Sequence, residues 1–289
     1  MSEPKRHHYL PVFYLSQWAG SDGRVVRYHR PNGPTVFSRL SPDNTGFEEG
    51  LYALDGAANA QMIETAFFSP IDNAAAPILG RLIARGPADL SGEQRILWAR
   101  FVMSLQLRSP QSVAEVKTVA DRIIRANIES EYLETKQEGD PNSAYEYVFQ
   151  QVPQLLANAH KAFLPGLIDH HEIGERIINM TWAVPNLSAA RHTLLTGDRP
   201  YTTSHGLLHR DCLLSVPLSP SRLFVAANDI EQLRRLSAQT PKDTVSNANN
   251  LLVKLAVQNV YGCTDTHLAF IEKRLRRPSE PPVPGVITR

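Results

Sequence analysis

The feature that most constrains this chain is a change of texture near residue 180. Before it, from about residue 58, apolar residues recur at helical spacing. After it, "TWAVPNL", "RHTLLTGDRP", "LLSVPLSP" and "RLFVAAND" are short apolar runs cut by Pro, Gly and Asp. The first pattern buries one stripe of each helix, and the second reads as antiparallel strands joined by turns. A chain that carries the two patterns in separate blocks is α+β. The expectation is a mostly helical single domain over residues 1–277. Its small antiparallel sheet comes from the N-terminal strands and the 180–227 region, and a Pro-rich disordered tail covers 278–289.

Along the chain, Pro11 suits the first position of a short helix, "PVFYLSQWA". Arg24–Arg30 alternates like a half-buried strand, "TVFSRL" is a second strand and "GLYAL" (Gly50–Leu54) a third. Helices are expected over Ala58–Phe68, punctuated by Ser69-Pro70, and over Ile71–Arg85. Ser91 with Gln94 forms a capping box for the next helix, which ends near Ser109-Pro110. Residues 111–137 read as a long charged helix, followed by helices over Ala144–His160 and His171–Thr181. Two more start at Asn228 and Ser246.

Bulk numbers exclude several function classes. The 30 Lys and Arg balance 29 acids, so no global field draws the chain to nucleic acid or an anionic membrane. Cys212 and Cys263 are the only cysteines and have no CxxC spacing, which fits a reducing cytoplasm. No apolar h-region follows Lys5 and Arg6, and no run is long enough to span a bilayer. P-loop, G-x-S-x-G and paired Cys/His metal motifs are missing.

The residues able to carry chemistry are scattered. Arg108 shares the stripe of Leu97, Phe101 and Leu105, so its permanent charge points inward and needs a carboxylate or an anionic ligand. Glu64 and Asp72 are the nearest candidates, although Ser69-Pro70-Ile71-Asp72 has the form of a helix cap and Asp72 is assigned that role. In "TGDRPY" (Thr196–Tyr201), Asp198 either holds the turn through its backbone or faces a cleft. "HHEIGE" (His170–Glu175) fails as a zincin motif because Glu175 stands where the second histidine must be. His205 and His209 flank Gly206 before a strand and carry little signal. The cluster Lys273, Arg274, Arg276 and Arg277 reads as a solvated helix end.

The opening "HHYLPVFYL" sets two histidines before a dense aromatic run. An extended segment sends adjacent side chains to opposite faces, so only one of His7 and His8 can enter a given pocket. This opening, with "TLLTGDRPY" and "SVPLSP" followed by "VSNANNLL", resembles the family catalogued as domain of unknown function 4238. His7, His8, Tyr9, Pro11, Phe13, Tyr14 and Leu15 match its opening, and Asp198 and Pro200 match its turn. Gly197 stands where that family usually has Ser. Asn247 and Asn250 match its late helix start, and Glu64 and Arg108-Ser109-Pro110 also fit. The resemblance implies no activity; it implies that His8, Glu64, Arg108 and Asp198 belong in one discussion.

Two function classes then stand. In the first, the chain is a hydrolase, a nuclease-like phosphodiesterase acting on nucleic acid or a nucleotide. His8 is general base or metal ligand, Glu64 and Asp198 serve a divalent ion or orient the histidine, and Arg108 holds the anionic substrate. In the second, the His-His-Tyr segment is a structural strap, Arg108 and Asp198 form a buried ion pair, and the chain binds a ligand or partner without turnover.

Overall fold

The computed structural model describes residues 6–277; the Pro-rich tail lies outside them. Its strands are β1 (Arg6–His8), β2 (Val25–His29), β3 (Val36–Leu40), β4 (Phe47–Glu49), β5 (Thr181–Ala183), β6 (Thr196–Gly197), β7 (Thr202–Thr203), β8 (Leu213–Ser219), β9 (Arg222–Ala227) and β10 (Asn259–Gly262). Its helices are α1 (Val12–Leu15), α2 (Ser69–Arg85), α3 (Gly92–Leu107), α4 (Pro110–Thr135), α5 (Ala144–Gln151), α6 (Pro153–Ile168), α7 (His171–Asn179), α8 (Ile230–Ser237), α9 (Pro241–Leu255) and α10 (Leu268–Glu272). The architecture is α+β. Among the described residues no helix is long and apolar enough to cross a membrane.

The strands form three antiparallel sheets rather than one. β1 pairs with β4; β3, β2, β10 and β6 form a second sheet in that order; β5, β9, β8 and β7 form the third. Of the strands in 181–227, β6 joins the N-terminal β2 and β3 through β10, whereas β5, β7, β8 and β9 form a sheet of their own. The chain closes the second sheet late, when β10 pairs its Asn259 with His29 and its Val260 with both Tyr28 and Gly197.

Aromatic residues of the N-terminal segment anchor the main core. Tyr14 and Trp18 are fully buried among Trp98, Phe101 and Phe224. Each polar tip is satisfied at a distance along the chain: Tyr14 Oη donates to the Pro217 carbonyl (2.7 Å), and Trp18 Nε1 donates to the Leu194 carbonyl (2.9 Å). Burying an aromatic body while pairing its one polar atom is how such side chains tie distant segments together. A second core lies on the other side of the second sheet, where Val26, Tyr28 and Val260 meet Leu252, Val253 and Ile271 of α9 and α10.

Local signals hold where the backbone alone decides. The Ser91–Gln94 capping box is formed in both directions. Gly50–Leu54 is no strand: Gly50 takes φ +66°, and the Ala53 N–H turns back onto the Gly50 carbonyl. Regular structure in Ala58–Phe68 begins only at Ile63, as a π-helical turn whose i→i+5 pattern brings the Ser69 N–H to the Glu64 carbonyl. That turn runs straight into α2, because Pro70 occupies the first turn, where a missing N–H costs nothing. Pro153 splits the expected 144–160 helix into α5 and α6 by removing a helical donor. The last long helix starts at Pro241, five residues before Ser246, because Thr240 caps it by accepting the Asp243 N–H.

Candidate functional site

The four candidate residues fall into two separate neighbourhoods. Arg108, at the C-terminal end of α3, is fully buried. Its fork closes on Asp72 of α2, with Nη1 to Oδ1 at 2.7 Å and Nη2 to Oδ2 at 3.1 Å. Its guanidinium also lies over the Phe68 ring, 4.6 Å from the centroid. The expected Arg108–Asp198 pair does not form, and Asp72 is a charge partner rather than a cap, since α2 has no side-chain cap. The physical reason is one of magnitude. A cap contributes about 1 kcal/mol, whereas a buried guanidinium left without an anion costs several.

Glu64 shares this neighbourhood. The π turn presents its carboxyl half-buried, with Oε2 enclosed and without a hydrogen-bond partner. Burial pushes it up to about 7, with Asp72 adding to the rise and Arg108 opposing it. Glu64 is therefore a proton-binding group near neutrality, beside an ion pair that is already complete.

The two histidines point apart, as the extended segment requires. His7 is fully buried, accepts the Tyr52 N–H at Nδ1 (2.8 Å), donates from Nε2 to the Gln61 side chain and stacks on Tyr52 with 8° between the rings. Tyr52 in turn donates its hydroxyl to the Arg108 carbonyl. His8 faces the other way, partly exposed, against Phe47 and with Nε2 3.3 Å from the Asp43 carbonyl. Burial lowers its pKa below the usual imidazole value, and Arg108 lowers it further.

Asp198 belongs to the second neighbourhood. Its carboxylate accepts the backbone N–H groups of Val257 (2.9 Å), Gln258 (2.6 Å) and Asn259 (2.8 Å). Burial pushes the carboxyl up, and the three amide donors pull it back down. The clamp fastens the "TGDRPY" turn to the start of β10. At Gly197 a Cβ would sit 3.1 Å from the Asn259 carbonyl, so glycine is what lets the two strands approach.

Between these neighbourhoods lies a cavity of about 650 Å³, whose defining residues the site expectation passed over. Strand β2 alternates: Val26 and Tyr28 go into the second core, whereas Arg27 and His29 line the cavity. Tyr9, the Asn44–Glu48 segment, Pro110 and Gln111 at the start of α4, Val257–Asn259, and Arg276 and Arg277 complete much of its wall. Arg30 also lines it but is committed to Thr35 and Glu272. Arg27 is different. It is partly buried, its Nε is enclosed, and among the described residues its side chain has no hydrogen bond and no ion pair. His29 Nδ1 is likewise enclosed and unpartnered, and burial together with Arg27 lowers its pKa. Among the described residues no three His, Cys, Asp or Glu side chains gather into a metal-ligating group.

With an α+β fold and this site in hand, comparison with known proteins adds a family. The model for the family described as "Protein of unknown function (DUF4238)" matches residues 6–266, and the chain belongs to that family. No curated protein and no solved structure matches it.

Proposed function

We propose that this protein is a ligand-binding module that holds a small anionic molecule, without turning it over, in the cavity between β2 and the N-terminal segment. One observation carries the reading: Arg27 is a partly buried guanidinium lining that cavity, and among the described residues it makes no hydrogen bond and no ion pair. An arginine cannot shed its charge, and an unpaired buried charge is costly enough that folds retain one where a ligand supplies the counter-charge. The residues first suspected of chemistry support the same reading from the other side. Arg108 closes Nη1 and Nη2 on Asp72 and Asp198 accepts three backbone N–H groups, so both charges are answered within the protein.

The test is a calorimetric titration of the full chain with inorganic phosphate, sulfate and succinate, with NMR of the recovered ligand. Saturable binding of at least one anion, lost in Arg27→Gln, and ligand recovered unchanged is the expected result. Absence of heat for every anion, or heat that Arg27→Gln leaves intact, overturns the reading.

Hydrolysis is the second reading, and Glu64 is the observation that favours it. A half-buried carboxyl pushed up to about 7 is suited to general acid–base work. Arg108 is then a positioning residue, because Asp72 closes its fork, and Asp198 acts only on the fold. Glu64→Gln abolishing turnover of a phosphodiester or ester panel, with the melting midpoint preserved, would support hydrolysis over the binding module.

A further inference from the structure

The shape and mixed chemistry of the cavity go further than its charge, and we infer that its ligand is a nucleoside monophosphate. The inference rests on the reading of the cavity as an anion site and deepens it. A volume of about 650 Å³ sits mid-range among sites for cofactor-sized molecules, about 300–1,000 Å³. A bare phosphate or a dicarboxylate leaves most of such a space empty.

The wall is not uniformly cationic either. Arg27 provides a charge without a partner among the described residues, and the imidazole of His29 stands beside it with an enclosed, unpartnered Nδ1. Other lining groups have no use for an anion. Phe47 brings an aromatic ring, one side of which is met by the Arg6 guanidinium, Gln258 brings an amide that both donates and accepts, and Glu48 is the one acid among the described lining residues. An exposed carboxylate repels phosphate, but it accepts hydrogen bonds from hydroxyl or exocyclic amino groups. A ligand that satisfies both halves is anionic at one end and a flat, hydrogen-bonding ring at the other. Arginine forks match phosphate oxygens in pairs, and base rings stack on aromatic side chains.

Calorimetric titrations of the full chain with AMP, GMP, CMP and UMP, and separately with inorganic phosphate, adenosine and succinate, test this. At least one monophosphate is expected to bind about tenfold or more tightly than phosphate or the nucleoside alone. Arg27→Gln should weaken it by at least that factor, and Glu48→Gln should change the ranking of the four bases. Glu48 is exposed, so that variant keeps the fold. If succinate or phosphate binds as tightly as every nucleotide, the nucleotide inference fails and the anion site stands. Binding of a single-stranded oligonucleotide without binding of any mononucleotide also overturns the inference. If nothing binds, both readings fall together.

Discussion

Replacing Asp72 by Asn removes the charge that balances Arg108 while keeping the shape of the side chain. Arg108 is fully exposed to this loss, since its side chain is 0% accessible and, among the described residues, Asp72 supplies its only carboxylate bonds. Breaking one partner of such a pair costs about 3–5 kcal/mol. Here a second carboxyl stands by. Glu64 is held up to about 7 by burial and by Asp72, against the pull of Arg108. Without the Asp72 charge, only burial opposes that pull, so Glu64 ionises more readily and takes over part of the balance.

The loss at pH 7 should accordingly fall to about 2–3 kcal/mol, below the full cost of an orphaned charge. Asp72→Asn with Glu64→Gln should then exceed the sum of the single losses by about 1 kcal/mol or more. The sign of the pH effect in the parent follows from the same group. A carboxyl whose folded pKa is raised from 4.5 to about 7 stabilises most below 4.5 and loses that contribution as pH rises through 7. At about 1.4 kcal/mol for each pH unit the ceiling is about 3 kcal/mol, and partial solvation of Glu64 brings it nearer half of that. Urea unfolding at pH 5 and pH 8, on the parent and the three variants, reads all of these quantities. A loss under about 1 kcal/mol for Asp72→Asn, or strict additivity in the cycle, would refute the reasoning.

The two histidines should separate cleanly. His7→Ala strands the Tyr52 N–H and removes a stacked ring, costing about 2–4 kcal/mol in chemical denaturation, whereas His8→Ala should stay under about 1 kcal/mol. Gly197→Ala should lower stability by about 1–2 kcal/mol, because the new Cβ meets a backbone carbonyl of a paired strand at 3.1 Å; an unchanged midpoint would contradict that contact. Anion binding should strengthen as pH falls and take up a proton, since an anion opposes the lowering of His29 caused by burial and Arg27. Titrations in two buffers of different ionisation enthalpy detect that proton, and its absence in His29→Gln completes the check.

Much of the fold was legible because local rules governed it. The capping box at Ser91 and the alternation in β2 each needed only a few neighbouring residues. The opposite facing of His7 and His8 was equally local. What failed was decided across the chain. "GLYAL" has strand composition, but Tyr52 spends its N–H on the ring of His7, 45 positions earlier. "SPID" has the form of a cap, but Asp72 answers a charge 36 positions away. The candidate site suffered most from this. Arg108 and Asp198 have the chemistry of an active site, but their partners, Asp72 and three backbone amides, lie within the protein. The feature that marks the cavity is a missing partner at Arg27 among the described residues, and that can be seen only once five other segments have closed around it. Arg276 and Arg277, read as a solvated helix end, line the same space for the same reason.

The most direct test of the account is the melting midpoint of Arg27→Gln beside the parent, each with and without AMP. An unanswered charge kept for a ligand carries a stability cost. The variant should therefore melt no lower than the parent when both are free, and AMP should raise the midpoint of the parent alone. A variant that melts well below the ligand-free parent, with a parent midpoint indifferent to AMP, would place Arg27 among the structural residues and contradict the account.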